Sequence, residues 1–280
     1  MTDYMLDLFA SFFRDPTAWG IGLAFAFGAV WFAVLAPPVR RLGFPAAVVV
    51  AGLVLVFVSS AILTLTSICF IQVPLQTWAS QALGHFWGQR TLLRWILLST
   101  VPQILLSGLV QEAAKLVPPL VYIKWRRPPD ARAALAIGAV AGVGFGVFEA
   151  AWALNLIFAS GWSWDTVQFM GFEGLLGFWE RFFAVALHTA ATSISVYGLY
   201  KGKWWQYYLL AALLHAVTNY GVVLLTGGYL TSVQVEVYIA VIAVAAVGIA
   251  LCLRWRREPA EPPAPAGRDA EEKELPRPQD

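Results

Sequence analysis

Apolar residues fill this chain in long runs, broken by short stretches where charge, proline and glycine collect. Seven runs are long enough to cross the ~30 Å hydrocarbon core of a bilayer as helices. They cover residues 17–36, 45–70, 92–124, 133–158, 178–200, 204–226 and 233–254. The pattern predicts an all-α, polytopic membrane protein with seven transmembrane helices. Trp19, Trp95, Trp125, Trp179, Trp204, Trp205 and Trp255 fall near run ends, where an apolar ring with a polar N–H settles at the membrane–water interface. Two stretches stand apart. Residues 72–91 mix polar and aromatic side chains and predict an outer interfacial helix. Residues 258–280 are proline-rich and charged, with almost nothing to bury, and predict a disordered cytoplasmic tail. The chain thus divides into a short extracytoplasmic segment (1–16), a seven-helix domain (17–257) and that tail.

Composition sharpens the picture. Of 280 residues, 59% are hydrophobic and 13% charged, against about 45–50% and about 25% in soluble domains. That excludes a disordered chain and argues against a water-soluble enzyme. The net charge of +2 comes from small basic clusters between runs, which is a topology signal and no footprint for nucleic acid. Arg40, Arg41, Lys124, Arg126, Arg127, Arg132, Lys201, Lys203, Arg254, Arg256 and Arg257 fall on one side. The other side has Arg14 and Arg90, with Arg94 just inside a run. The positive-inside rule therefore places the N-terminus outside and the C-terminus in the cytoplasm. Acidic residues in MTDYMLDLFASFFRD speak against a cleaved signal peptide. Cys69 and Cys252 lie in apolar runs and suggest no disulfide framework. Short loops without targeting signals point to a prokaryotic inner (cell) membrane.

An ionisable residue at the centre of a span costs about 2.5–3.5 kcal/mol, so each one is a functional candidate. They gather on four consecutive runs: Gln111, Glu112 and Lys115; Glu149; Glu180, Arg181 and His188; His215 and Asn219. Glu112 and Lys115 share a helix face, as do His188 and Thr192, and His215 and Asn219; Arg181 lies one heptad before His188 on its stripe. At 1.5 Å per residue, Glu112, His188 and His215 lie roughly 16–18 Å from the cytoplasmic ends and Glu149 roughly 24 Å. The four runs thus offer acids and imidazoles to one mid-membrane layer. Pro118 and Pro119 remove two N–H donors beside it. Gly138, Gly142 and Gly146 form a small-residue ladder that admits a neighbouring helix closely, and Glu149 continues that face.

Each group also has a plainer reading. Glu112 with Lys115 is a possible structural ion pair, and His215 with Asn219 possible interhelical hydrogen-bond glue. Glu180 and Arg181, near an outer end, suit anchoring, and His85 suits a solvated loop. Taken jointly, two carboxylates and two imidazoles can polarise water for peptide-bond hydrolysis, with His or Asn donors facing the developing oxyanion. Glu112, Glu149, His188 and His215 could instead ligate zinc, since two His and a Glu with an open position is a hydrolytic pattern. No HExxH pair and no Gly-x-Ser-x-Gly elbow occurs.

The order of these residues resembles a known group. Gln111-Glu112-Ala113-Ala114-Lys115 resembles the EExxK/R motif of PrsW- and YhfC-type intramembrane proteases. Gly144-Phe145-Gly146-Val147-Phe148-Glu149 resembles their second motif, FxxxE. His188 and His215-Ala216-Val217-Thr218-Asn219 resemble the later His and HxxxN motifs. The likeness covers about residues 105–225. These families group with the CAAX-prenyl endopeptidases and with the seven-span scaffold subunit of gamma-secretase. The resemblance implies that Glu112 and Glu149 activate water, His215 and Asn219 stabilise the oxyanion, His188 orients water or substrate, and Lys115 fixes Glu112. Gln111, Phe145 and Arg181 are supporting. Gln111 departs from the proteases, which usually have Glu there; the non-proteolytic scaffold tends to show Gln-Glu but lacks a carboxylate at the position of Glu149.

The leading expectation is therefore an intramembrane endopeptidase of the glutamic type acting on a membrane protein or peptide, with no cofactor, or zinc as the alternative. The rival is a non-catalytic scaffold holding a partner transmembrane helix or a second copy of itself. A proton-coupled transporter ranks third, since no inverted repeat is evident. Convergence of Glu112, Glu149, His188 and His215 with a path to water would favour hydrolysis. Carboxylates sealed by Lys115 and Arg181 would favour the scaffold.

Overall fold

A computed structural model describes residues 2–36, 46–128 and 130–256. Among them there is helix and no strand. In chain order the helices are α1 (Thr2–Ser11), α2 (Ala18–Leu35), α3 (Ala46–Ser67), α4 (Val73–Trp87), α5 (Gln89–Arg94), α6 (Ile96–Ser99), α7 (Val101–Trp125), α8 (Ala131–Ala159), α9 (Trp164–Met170), α10 (Leu176–Tyr200), α11 (Trp204–Thr226) and α12 (Ser232–Trp255). Seven stretches are long and apolar enough to cross a membrane: Ala18–Leu35, Val48–Trp87, Ile96–Trp125, Ala131–Ala159, Trp164–Tyr200, Trp204–Thr226 and Ser232–Trp255. The chain is a polytopic helical membrane protein. Arg40, Arg41 and Arg257 of the expected topology signal, and the tail 258–280, lie outside the described residues.

Side-chain caps set the starts of three spanning helices. The Thr17 hydroxyl accepts the Gly20 N–H at 3.0 Å to start α2, and the Asp130 carboxylate accepts the Ala133 N–H at 2.7 Å to start α8. Thr231 and Gln234 close a reciprocal capping box on α12, each satisfying an orphan N–H. Two expectations need correction. The third spanning helix does not run from residue 92: Gly88 takes φ +74°, Trp95 breaks the following turn, and α7 begins at Val101 with Pro102 in its first turn. The interfacial segment 72–91 is not separate either. A π-helical turn, Ile68–Gln72, carries α3 into α4 without a loop.

α8 and α10 form the buried centre, and the other spanning helices surround them. Their contact is close because α8 has no side chain where α10 crosses it. A Cβ on Gly138 would stand 2.6 Å from the Ser193 Cα, and one on Gly142 would meet the His188 carbonyl oxygen and stand 2.7 Å from the Thr189 Cα. Gly146 continues the seam, 3.2 Å from the Val185 Cα. The opposite face of α8 takes α3 the same way, with Gly144 against the backbone of Phe57 and Ser60 donating to the Ala141 carbonyl at 2.7 Å. α7 lies on α11 through Gly108, which faces the Ala212 carbonyl. The N-terminal segment folds as α1. Phe12 beyond it stacks on Trp152 at 4.5 Å and Phe148 at 6.1 Å, and Thr17 donates through N and Oγ1 to Asn155 at 2.9 Å.

Candidate functional site

The glycine seam places His188 against the face of α8 that carries Glu149, and α7 and α11 bring Glu112 and His215 to the same level. The result is one hydrogen-bonded chain across four helices. His215 Nδ1 lies 2.8 Å from Glu112 Oε1, and Lys115 Nζ lies 2.5 Å from that oxygen. Lys115 Nζ is also 2.9 Å from His188 Nδ1. His188 Nε2 is 3.0 Å from Glu149 Oε2, which is 3.4 Å from the Arg181 guanidinium. Arg181 then pairs with Glu180. Thr192 donates to the other Glu112 oxygen at 3.4 Å, and the two imidazole rings stand 5.1 Å apart. Phe145 edges the His188 ring at 5.1 Å, and its own ring centroid lies 5.6 Å from the Lys115 ammonium.

These contacts assign the protons. An ammonium only donates, so His188 Nδ1 accepts from Lys115 and its Nε2–H donates to Glu149. A carboxylate only accepts, so the His215 Nδ1–H donates to Glu112. Signs alternate along the chain: Glu112, Lys115, Glu149, Arg181.

Exposure is graded along the chain. The Glu112 and Lys115 side chains are 0% exposed, His215 2% and His188 4%, whereas Arg181 is 14%, Glu149 23% and Glu180 31% exposed. The open end faces the part of the bundle that holds α1 and α9. Of the outcomes weighed from the sequence, the ion pairs with Lys115 and Arg181 are both present, and the two carboxylates differ in exposure. Glu112 is sealed by Lys115 and His215; Glu149 meets Arg181 yet keeps an accessible edge.

Two expected members bond outside this hydrogen-bonded chain. Gln111 turns away from Glu112 and donates to Gln72 on the π-helical turn at 3.0 Å; Gln72 in turn faces Gln76 at 3.4 Å, and Gln76 donates to the Gln103 carbonyl at 2.7 Å. Asn219 donates to Ser107 at 3.0 Å, a serine too ordinary in an apolar run to signal itself. Arg181, which suited an anchor, reaches the cluster along its predicted stripe. Glu180, read as an anchor too, follows it as its partner.

Glu112, His188 and His215 offer ligand atoms within 4.8 Å of one another, as a metal site would. The donor set does not fit zinc as it stands, because the Lys115 ammonium already engages Glu112 Oε1 and His188 Nδ1. A divalent ion using those atoms would have to displace it.

Comparison of the chain with family models, curated proteins and solved structures gives no match.

Proposed function

We propose that this chain is an intramembrane endopeptidase of the glutamic type, seated in a prokaryotic inner membrane with its N-terminus outside. The observation that carries the reading is Glu149: an ionised carboxylate, oriented by the His188 Nε2–H at 3.0 Å, with 23% of its side chain accessible. Such a group can take a proton from water as the oxygen adds to a peptide carbonyl, then return it to the departing amine. Glu112 is too enclosed to reach water. It holds the His215 ring instead, as the buried carboxylate of a triad holds its imidazole; in this reading His215 is the neutral Nδ1–H tautomer, and its Nε2 lone pair is a second proton acceptor. His215 in that state cannot donate to an oxyanion. Asn219, with one amide N–H beyond the Ser107 bond, is the donor this reading retains.

The test compares membrane-protein termini in cells expressing the wild type or Glu149→Gln at matched amounts of folded protein. The expected result is a set of termini inside apolar segments that the variant lacks. An identical set in both strains overturns the proposal.

A specific observation favours a second reading. Glu112 is sealed, and Gln111 is committed to Gln72, as suits a non-catalytic scaffold that holds a partner transmembrane helix. That reading expects a partner retained in mild detergent and lost from Glu112→Gln; recovery of a lone wild-type monomer counts against it.

A further inference from the structure

At the end of the bundle away from the open carboxylates, a cavity of about 210 Å³ lies between the start of α8 and the ends of α10 and α12. Asp130, Ala131, Arg132, Tyr197, Leu253 and Arg256 line it. Its negative group is already engaged: the Asp130 carboxylate caps α8 through the Ala133 N–H at 2.7 Å. Arg132 uses only Nε internally, donating to the Arg254 carbonyl at 3.0 Å, which leaves its terminal nitrogens. Among the described residues, no carboxylate stands within ion-pair distance of Arg132 or Arg256. Among the described residues, two guanidinium groups thus line one cavity with a single carboxylate that is committed to capping α8, and the lining carries a net positive charge.

An anion is what this charge pattern lacks. The planar fork of arginine matches the paired oxygens of a phosphate, so two forks across one cavity select phosphate over a halide or a lone carboxylate. The level of the cavity points to the source. Leu253 lies in the last turn of α12 and Arg256 caps it, on either side of Trp255, which is 66% exposed. Such a tryptophan marks the headgroup level, and basic pockets between spanning helices at that level take anionic lipid headgroups. We propose that this cavity binds the phosphate of an anionic phospholipid, with Arg132 and Arg256 each donating to its oxygens and Leu253 and Ala131 facing its apolar part. The site is separate from the polar layer and does not depend on the proposed hydrolysis.

The test is native mass spectrometry of the full chain in detergent, titrated with dioleoyl phosphatidylglycerol, with dioleoyl phosphatidylcholine, and with inorganic phosphate competing against the first. One phosphatidylglycerol per chain should bind at least tenfold more tightly than phosphatidylcholine. Arg256→Gln, at an exposed helix end where folding is undisturbed, should weaken it at least fivefold. Arg132→Lys, which keeps the charge and loses the fork, should weaken it as well. Equal retention of the two lipids, or wild-type retention by Arg256→Gln, overturns the proposal. Displacement by millimolar inorganic phosphate overturns the lipid as source and assigns the cavity to the free anion.

Discussion

Lys115 is the side chain on which the polar layer turns. Fully buried, its ammonium neutralises Glu112 and fixes the His188 tautomer at once. Lys115→Met leaves the Glu112 charge buried without its cation, and should lower unfolding stability in detergent by about 3–5 kcal/mol. The double variant Glu112→Gln/Lys115→Met removes both charges and should recover much of that loss. Additive losses in a melting series would show that the pair is not coupled. Glu112, Lys115, Glu149, His188 and His215 were legible in the sequence because an ionisable residue in an apolar run has no cheap alternative to meeting a partner. Gln111 and Asn219 were not. Gln111 is one residue from Glu112, a turn of about 100° on the helix, and a neutral amide finds a partner on whichever side offers one. Spacing gives a face, but the choice among neighbours on that face belongs to side-chain torsions that no pattern records.

Among the elements, α8 decides how near the catalytic candidates can come. Its glycines let α10 pass at backbone contact, so the His188–Glu149 bond depends on positions that carry no chemistry. Gly142→Ala should drive a methyl into the His188 carbonyl and lower stability by about 1–3 kcal/mol, while Gly22→Ala, with nothing within 4 Å of the added carbon, should stay within about 1 kcal/mol of wild type. Thermal unfolding of the two variants side by side checks this; equal effects would mean that the seam tolerates the methyl. The ladder at Gly138, Gly142 and Gly146 was readable from spacing alone. The start of α7 and the join of α3 to α4 were not. A π-helical turn has no composition signature, and an apolar run continues as readily through the broken turn at Trp95 as through a helix.

Over the whole molecule, the accessible end of the polar layer lies toward α1, the side from which the proposed reaction would draw water and substrate. The positive-inside expectation makes that side extracytoplasmic. Ser160→Cys should then react with a membrane-impermeant maleimide on intact cells and Lys203→Cys only after permeabilisation; the reverse labelling would turn the molecule over. The seven spans were plain because length and apolarity answer to the bilayer itself. α1 was not, since a ten-residue helix is marginal alone and follows here from Leu8 and Phe9 packing against the cluster of Phe12, Leu65 and Cys69. The alternation of sign along the polar layer has an electrical consequence. An elementary charge carried across a bilayer exchanges about 2.3 kcal/mol with each 100 mV of membrane potential. Glu112 with Lys115 is a neutral dipole on which the resting voltage of the cell does almost no work, whereas Arg181 is shared by Glu149 and Glu180 and that end of the layer carries one negative charge into the field.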